Sequence, residues 1–527
     1  MNKNSVLFVV FSAIVLFGYF FFVQPKKPAE QNAQTQQTQQ TANNGSNVSG
    51  RTSSKDFGAA GENKGSKEIL TSVNSDNYKI VFTNKGAGIV SWQIKERNGQ
   101  WINLVFDSST PVMTNFPEAA YVKIPQKAAN RIAYKYESSA GWKIIKTYEL
   151  SSNSFMHNVS ISLVKTKPSA ILPTVALSWG PGLGTDAKEL SENHAQTRVI
   201  ALNSQTGSVK TFKTDSASAG QFKWAGIDNR YFLVAFIPTN PSDFSEVVPV
   251  RADKKAEPVV QLTVVPSLTE SSQSFYADFY AGPKGFTYLR SYNMGLEKSV
   301  NFGFFGFLGK IALAVLYFLH QITGNFGWSI VLLTCIIQIL VLPLTIKSFR
   351  SAAAMKRIQP VIKDIQTKFK DNPQRLQAEM MNAYKSNKVN PLGGCLPMLL
   401  QLPIFWAFFT MLRNAYELRN APWILWVKDL SMADHFLYIG ANVPFVGSYI
   451  NLLPIIMCVL MFFQQKMTTA TSDPTQKRIM YIMPLVFLVM FWRFPAGLVL
   501  YWLTNSTISI ITQYFVIRKD EARVKHA

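Results

Sequence analysis

KSFRSAAAMKRIQPVIKDIQTKFKDNPQRLQAEMMNAYKSNK, residues 347–388, sets ten Lys and Arg against three Asp and Glu and lies between two segments apolar enough to cross a bilayer. Basic residues in short loops are retained on the cytoplasmic side, and this loop is short enough for that count to orient the chain. It also carries a helical period. Met355, Ile358, Ile362, Ile365 and Phe369 recur at spacings of three and four, one apolar seam, while Lys356, Arg357, Lys363 and Lys368 fall elsewhere on the helix. Asp371 and Asn372 supply turn and N-cap chemistry, Pro373 suits a first helical turn, and Leu376, Met380 and Tyr384 continue a seam on a second helix. Residues 347–390 are therefore expected to form a basic helical hairpin on the cytoplasmic face.

Working outward, apolar runs at 327–346, 396–412, 449–463, 479–492 and 498–517 predict five spans, several shorter than the roughly 20 residues a hydrocarbon core needs. Short spans imply a thinned bilayer or protected irregular ends. Residues 300–325 are also apolar, with Lys310, His320 and Gln321 among them. As a span they would reverse the next segment and put the basic hairpin outside, so they are read as an interfacial amphipathic helix. With the hairpin inside, the loop 464–478 and the tail 518–527, each richer in bases than acids, fall inside as well. The loop 413–434 has as many acids as bases and falls outside.

Residues 1–23 hold an apolar run longer than the roughly 7 to 15 residues of a signal-peptide core, with no small-x-small cleavage site after it, which predicts an uncleaved transmembrane anchor. Residues 24–70 are rich in Gln, Asn, Thr, Ser and Lys and read as a disordered linker. From 71 to 295 the texture changes to short alternating runs, such as 78–82 and 142–148, punctuated by Asn98-Gly99 and Gly180-Pro181-Gly182. That pattern predicts a large antiparallel β-sandwich, which parity places outside, in a bacterium the periplasm. The expected fold class is a polytopic α-helical membrane protein of the bacterial inner (cytoplasmic) membrane: an N-terminal anchor, a five-helix core bundle with a cytoplasmic helical hairpin, and a periplasmic sandwich.

The formal charge of +22 by itself fits nucleic-acid binding, but a chain 47% hydrophobic with serial uncharged runs needs lipid, and a basic excess beside such runs suits anionic lipid surfaces instead. Direct nucleic-acid recognition is not expected. Cys335, Cys395 and Cys458 lie in or beside spans, so no disulfide framework serves the soluble part. Five scattered histidines show no metal-ligand spacing, and neither metal nor cofactor is expected. No Asp, Glu, Lys or Arg occupies the middle of the five spans, which weighs against a proton-coupled transporter. No P-loop, zinc signature or nucleophile elbow is present, and glycines 180, 182 and 184 read as turn residues. A Ser/His/Asp site within the sandwich stays open.

Gln338 sits near the middle of its span with Thr334 one turn earlier on the same face, and Gln401, Asn451, Asn505, Ser506 and Gln513 place polar groups in other spans. An unpaired polar group in hydrocarbon costs roughly 2 to 7 kcal/mol, so these should face each other or a wet cavity. Two readings stand: hydrogen bonds that glue the bundle together, or a shared hydrophilic groove. Prolines 343, 397, 403, 454 and 484 free backbone groups that a cavity or a neighbouring helix must satisfy.

Asn390-Pro391-Leu392-Gly393-Gly394-Cys395-Leu396-Pro397 with Gln401-Leu402-Pro403-Ile404-Phe405, then Glu417-Leu418-Arg419-Asn420-Ala421-Pro422, Asp473-Pro474 and Phe494-Pro495-Ala496-Gly497-Leu498-Val499-Leu500-Tyr501 resemble, in the same order, motifs of the YidC membrane-protein insertase family. Ala281-Gly282-Pro283-Lys284 fits the end of that family's periplasmic domain, and the layout is that of its Gram-negative form. The resemblance implies a non-enzymatic insertase and chaperone that inserts and helps fold inner-membrane proteins, alone or with the Sec translocon. It implies a groove open to cytoplasm and lipid, with Gln338, Thr334, Gln401, Asn505 and Ser506 as its polar groups. Gln338 stands where relatives carry an arginine, and Trp502 where they often carry a tyrosine. Nascent chains would leave along Leu402, Phe405, Tyr501 and Trp502. Lys356, Arg357, Lys363 and Lys368 either recruit ribosome, nascent chain or anionic lipid or simply fix topology. The rival classes are a channel or transporter with a periplasmic ligand-binding domain, and a tethered sugar-active enzyme.

Overall fold

Alternation of apolar and polar residues builds the outer domain: Tyr78, Ile80 and Phe82 are buried while Lys79 between them is exposed. The computed structural model describes residues 67–525 apart from 213–217, 220, 244–245, 251–256, 268, 388, 390–395, 444–445 and 469–473. The expected anchor at 1–23, most of the expected linker at 24–70 and the Asn390 to Cys395 part of the quoted motif lie outside these residues.

A nine-stranded antiparallel sheet runs in the spatial order Val209–Phe212, Arg198–Asn203, Phe222–Asp228, Phe232–Pro238, Ser272–Pro283, Met156–Lys165, Trp142–Glu149, Arg131–Ser138 and Val122–Ile124. Two four-stranded sheets accompany it. One comprises Leu70–Asn74, Tyr78–Thr83, Ile89–Lys95 and Trp101–Asn103, and the other Ser218–Ala219, Glu246–Val250, Val259–Val264 and Val175–Trp179. The sheets share a core centred on Trp92, whose ring centroid lies 5.4 Å from that of Phe279 and 6.1 Å from that of Trp179. The large sheet has a second buried face. Val199 and Ala201 point into the sandwich core, while Ile200 and Leu202, with Trp224, Leu233 and Tyr280, point the other way and join Leu289, Leu296, Val300 and Phe302 in an apolar cluster that continues into the helices. The outer domain is thus packed on the bundle rather than only tethered to it.

Among the described residues, ten helices follow the strands or punctuate them: α1 (Leu190–Gln196), α2 (Phe286–Ser291), α3 (Gly306–Thr323), α4 (Phe326–Arg357), α5 (Gln359–Lys368), α6 (Pro373–Ser386), α7 (Leu396–Asn414), α8 (Leu452–Thr468), α9 (Pro474–Phe491) and α10 (Ala496–Lys525). α3 and α4 are each long and apolar enough to cross a membrane. α10 packs along α4 and α8, α8 along α9, and α3 against α4 and α7.

Two boundaries differ from the sequence expectation. The first hairpin helix, expected from Met355 to Phe369, is divided: α4 continues to Arg357 and α5 starts at Gln359, because Pro360 has no amide to donate back to Lys356 and its ring crowds the preceding turn. The expected span at 449–463 begins at Leu452, because Leu437–Val443 and Gly447–Ile450 pair as an antiparallel ribbon in which Leu437 faces Ile450. In the basic hairpin, Asn372 caps α6 by accepting a hydrogen bond from the Arg375 amide at 3.0 Å. Ile358, Ile362, Ala383 and Val389 form its small core with Met355, Ile365, Met380 and Tyr384 against them.

Candidate functional site: the seam between α4 and α10

α4 is pinned at its outer end. The Asn325 side chain accepts hydrogen bonds from the amides of Gly327 (2.9 Å) and Trp328 (3.3 Å) as an N-cap, and its own amide group donates to the carbonyls of Pro422 (3.1 Å) and Trp423 (3.3 Å). Position 327 is held to glycine by space, since a Cβ there would lie 2.2 Å from Cδ1 of Trp423. The start of α10 is pinned to the same loop, with the Ala496 amide donating to Met432 (2.6 Å) and the Gly497 amide to Leu430 (2.9 Å). Val427, Leu430, Ala421 and Leu418 are buried there, so an apolar lid closes the outer ends of both helices.

Inward from the lid the seam changes character. Ile330 and Leu333 on α4 and Leu498 to Tyr501 on α10 are buried and apolar, and then Thr334, Gln338, Thr345 and Ser348 follow on the buried face of α4 at spacings of four, seven and three. α10 supplies Thr504, Ser506 and Gln513, all buried, and Asn505, half-buried. Gln338 Nε2 donates to Asn505 Oδ1 across the seam. The threonine hydroxyls are satisfied within their own helices: Thr334 donates to Ile330 (2.7 Å), Thr345 to Val341 (3.2 Å) and Thr504 to Leu500 (2.9 Å). Gln401 on α7 donates to the Tyr501 hydroxyl at 2.6 Å, tying a third helix to the seam.

The expected exit path is distributed unevenly. Leu402 is 43% exposed and Trp502 half-buried, whereas Phe405 and Tyr501 are buried, at 2% and 0%. Phe405 packs edge-on to Trp502 at 5.1 Å and Tyr501 stacks on Phe408 at 4.8 Å, because both project between helices rather than away from the bundle. Asn451, read from sequence as an intramembrane polar group, is instead a connector at the outer end of α8, accepting from the His435 amide (3.0 Å) and donating to the Trp492 carbonyl (2.6 Å). Lys356, Arg357, Lys363 and Lys368 are exposed on the hairpin. Among the described residues no group of three His, Cys, Asp or Glu is placed to hold a metal ion.

Arg419 and Lys284, letters of quoted motifs in the sequence, are both centres of buried ion pairs, Arg419 where the sandwich meets the bundle and Lys284 within the sandwich. Arg419 contacts Glu96 at 2.5 Å, Glu189 at 2.7 Å and Asp186 at 3.7 Å. Burial opposes its charge, and Glu189 and Glu96 more than offset that, holding the guanidinium pKa above its usual range. Burial pushes the Glu189 carboxyl up, with Arg419 pulling the other way. Glu417 is likewise pushed up by burial; it accepts from the Tyr317 hydroxyl (2.6 Å) and the Phe286 amide (3.0 Å). Lys284 pairs with Asp228 at 2.9 Å, and Asp228 also takes Arg198 at 2.7 Å. The legible signal is an arginine and a glutamate two residues apart in an outer loop; the acidic partners Glu96 and Glu189 of Arg419 lie more than 200 residues away in sequence, and the donors to Glu417 lie 100 and 131 residues away.

A large β-rich domain packed on a helical bundle, with two helices long and apolar enough to cross a membrane, defines the class of a membrane-integrated protein with a large extramembrane domain. The family model described as 60Kd inner membrane protein matches residues 318–523, and that of the YidC periplasmic domain matches residues 102–314. A membrane protein insertase YidC of Endomicrobium trichonymphae is 54% identical over 529 residues, covering 100% of both chains. Another, of Syntrophus aciditrophicus, is 32% identical over 556 residues, 98% of this chain and 99% of the relative. A crystal structure of an active YidC insertase with its first transmembrane domain resolved aligns over 85% of this chain and 93% of that one, at 18% identity and a TM-score of 0.39. The chain belongs to the YidC membrane protein insertase family, whose members act on inner-membrane proteins and are not enzymes.

Proposed function

We propose that this insertase works in the bacterial inner membrane as a multi-pass protein and receives the polar parts of its substrates at the inner half of the α4–α10 seam. The observation that carries this is the gradient along the seam: apolar and lidded outside, amide- and hydroxyl-rich inside, with Gln338 and Asn505 at the change-over. A polar substrate segment pays least where side chains can replace its water, and a half-depth polar path shortens the stretch of hydrocarbon it must cross. Gln338, Thr334, Gln401, Asn505 and Ser506 line that path in this reading. The substrate's apolar segment leaves past Leu402 and Trp502, with Phe405 and Tyr501 as the packed wall behind them. α3 lies at the outer interface in this reading: the connector just before it meets the last turns of α7, where Thr410 donates to the Phe302 carbonyl at 2.8 Å, and His320 near its end stacks on Phe326 at the start of α4. Lys356, Arg357, Lys363 and Lys368 face the cytoplasm as the contact for ribosome and anionic lipid, and the chain acts alone or beside the Sec translocon.

The test is insertion into reconstituted vesicles. Gln338→Leu is expected to slow substrates with charged translocated tails more than those with neutral tails, and equal slowing of both removes Gln338 from the path. Conduction of ions or solute by the purified protein without any substrate favours a channel instead.

A further inference from the structure

Between the sandwich and α3 lies a cavity of about 500 Å³ that the insertion path does not use. Arg198 and Thr211 line it from the edge of the nine-stranded sheet, Lys298 and Asn301 from the connector, and Lys310 from the second turn of α3. No Asp or Glu lines it. Arg198 shares Asp228 with Lys284, whereas Lys298 donates only to the neutral Gly207 carbonyl at 2.6 Å, and exposed Lys310 has no hydrogen bond or ion pair among the described residues. Two positive charges are therefore left over at one opening. The first residues of α3 line the same cavity, and that helix has no side-chain cap, so the positive end of its dipole adds to the lysines.

Beside these cations stand Phe304 and Phe307, 91% and 76% exposed. Large bare aromatics next to a cationic pocket do not suit a ligand free in water, since the rings gain nothing from it; they suit a molecule with an anionic head and an apolar body. We propose that this cavity holds the phosphate headgroup of an anionic phospholipid in the outer leaflet, with Lys298 and Lys310 pairing the phosphate and Phe304 and Phe307 entering the acyl region. The site rests on the interfacial placement of α3 proposed above.

The test uses the full chain in nanodiscs containing either phosphatidylglycerol or phosphatidylcholine with a photoreactive group near the top of one acyl chain, and maps labelled peptides. Phosphatidylglycerol is expected to label residues 298–310 in preference to phosphatidylcholine. The preference should fall about 30-fold in the Lys298→Gln/Lys310→Gln double variant, as expected for two basic residues at an anionic surface, and should return with arginine at both positions. Equal labelling by the two lipids overturns the headgroup site while leaving α3 at the interface. Labelling by neither overturns the interfacial placement as well, and suppression by millimolar inorganic phosphate transfers the site to a soluble anion and overturns the lipid assignment.

Discussion

Replacing Arg419 by glutamine should loosen the sandwich from the bundle. The substitution keeps a polar side chain that can donate, but shortens it and removes the charge that faces Glu96 and Glu189, which are 1% and 11% exposed. Breaking a buried pair by removing one partner costs about 3–5 kcal/mol; Glu189 is not wholly enclosed, so the low end, about 3 kcal/mol, is the expected loss. Hydrogen exchange reads this directly. Turn amides beside the buried pairs, such as Glu189 to Asp186 (2.9 Å) and Arg419 to Tyr416 (2.9 Å), should exchange about 150-fold faster in the variant. The dependence on pH has a defined sign. Burial raises Glu189 and Glu417, so the docked form binds protons more tightly than the undocked form, and docking strengthens as pH falls toward the ordinary glutamate range and weakens as pH rises. Arg419 opposes that rise at Glu189, so the variant should show a steeper dependence and recover protection as pH falls toward the ordinary glutamate range. Unchanged exchange at neutral pH, or protection that improves as pH rises, refutes the reasoning.

Lys146 is enclosed in the sandwich core, where it donates to the Met113 carbonyl and burial pushes its amine down to about 7 from 10.5. Between those values the unfolded chain holds a proton that the folded one lacks, so sandwich stability should rise from pH 7 to 10; Lys146→Met should flatten that slope and stabilise by up to about 4 kcal/mol at pH 7, seen in exchange of the Ile144 to Tyr148 amides. Gly327→Ala drives a methyl into the Trp423 ring and should lower thermal stability by about 1–3 kcal/mol while loosening the lid, measured as tryptophan accessibility to a soluble quencher. Gln338→Leu and Asn505→Leu should each destabilise the bundle, and the double variant by less than the sum, with a coupling of about 0.6–1.7 kcal/mol in a double-mutant cycle; strict additivity denies the hydrogen bond.

What could be read in advance follows the range of the interactions. The apolar period of the hairpin, the Asn372 cap and the alternation of the strands depend on residues a few positions apart, and local chemistry shows them. The Leu437–Ile450 ribbon is not legible in the sequence because Tyr449 and Ile450 extend an apolar run into the helix that follows, and no period separates them from it. The sequence shows Gln338 and Asn505 only as two members of a polar set, since helix sequence gives the face of each residue but not the register between α4 and α10. Arg419 was least legible: its surroundings come from Glu96, Asp186 and Glu189, brought together by tertiary packing alone.

α4 is one helix of 32 residues, about 48 Å long, anchored by Asn325 outside and joined to the basic hairpin inside. Pro343 within it has no amide to bond the Ile339 carbonyl, so bending is easiest just inward of Gln338. From that hinge to Arg357 is a rigid arm of about 21 Å, and a 10° swing carries its tip about 4 Å. Force applied to the hairpin by anything that docks there is therefore delivered as torque one turn from the Gln338–Asn505 hydrogen bond, while the lid behind Asn325 stays seated.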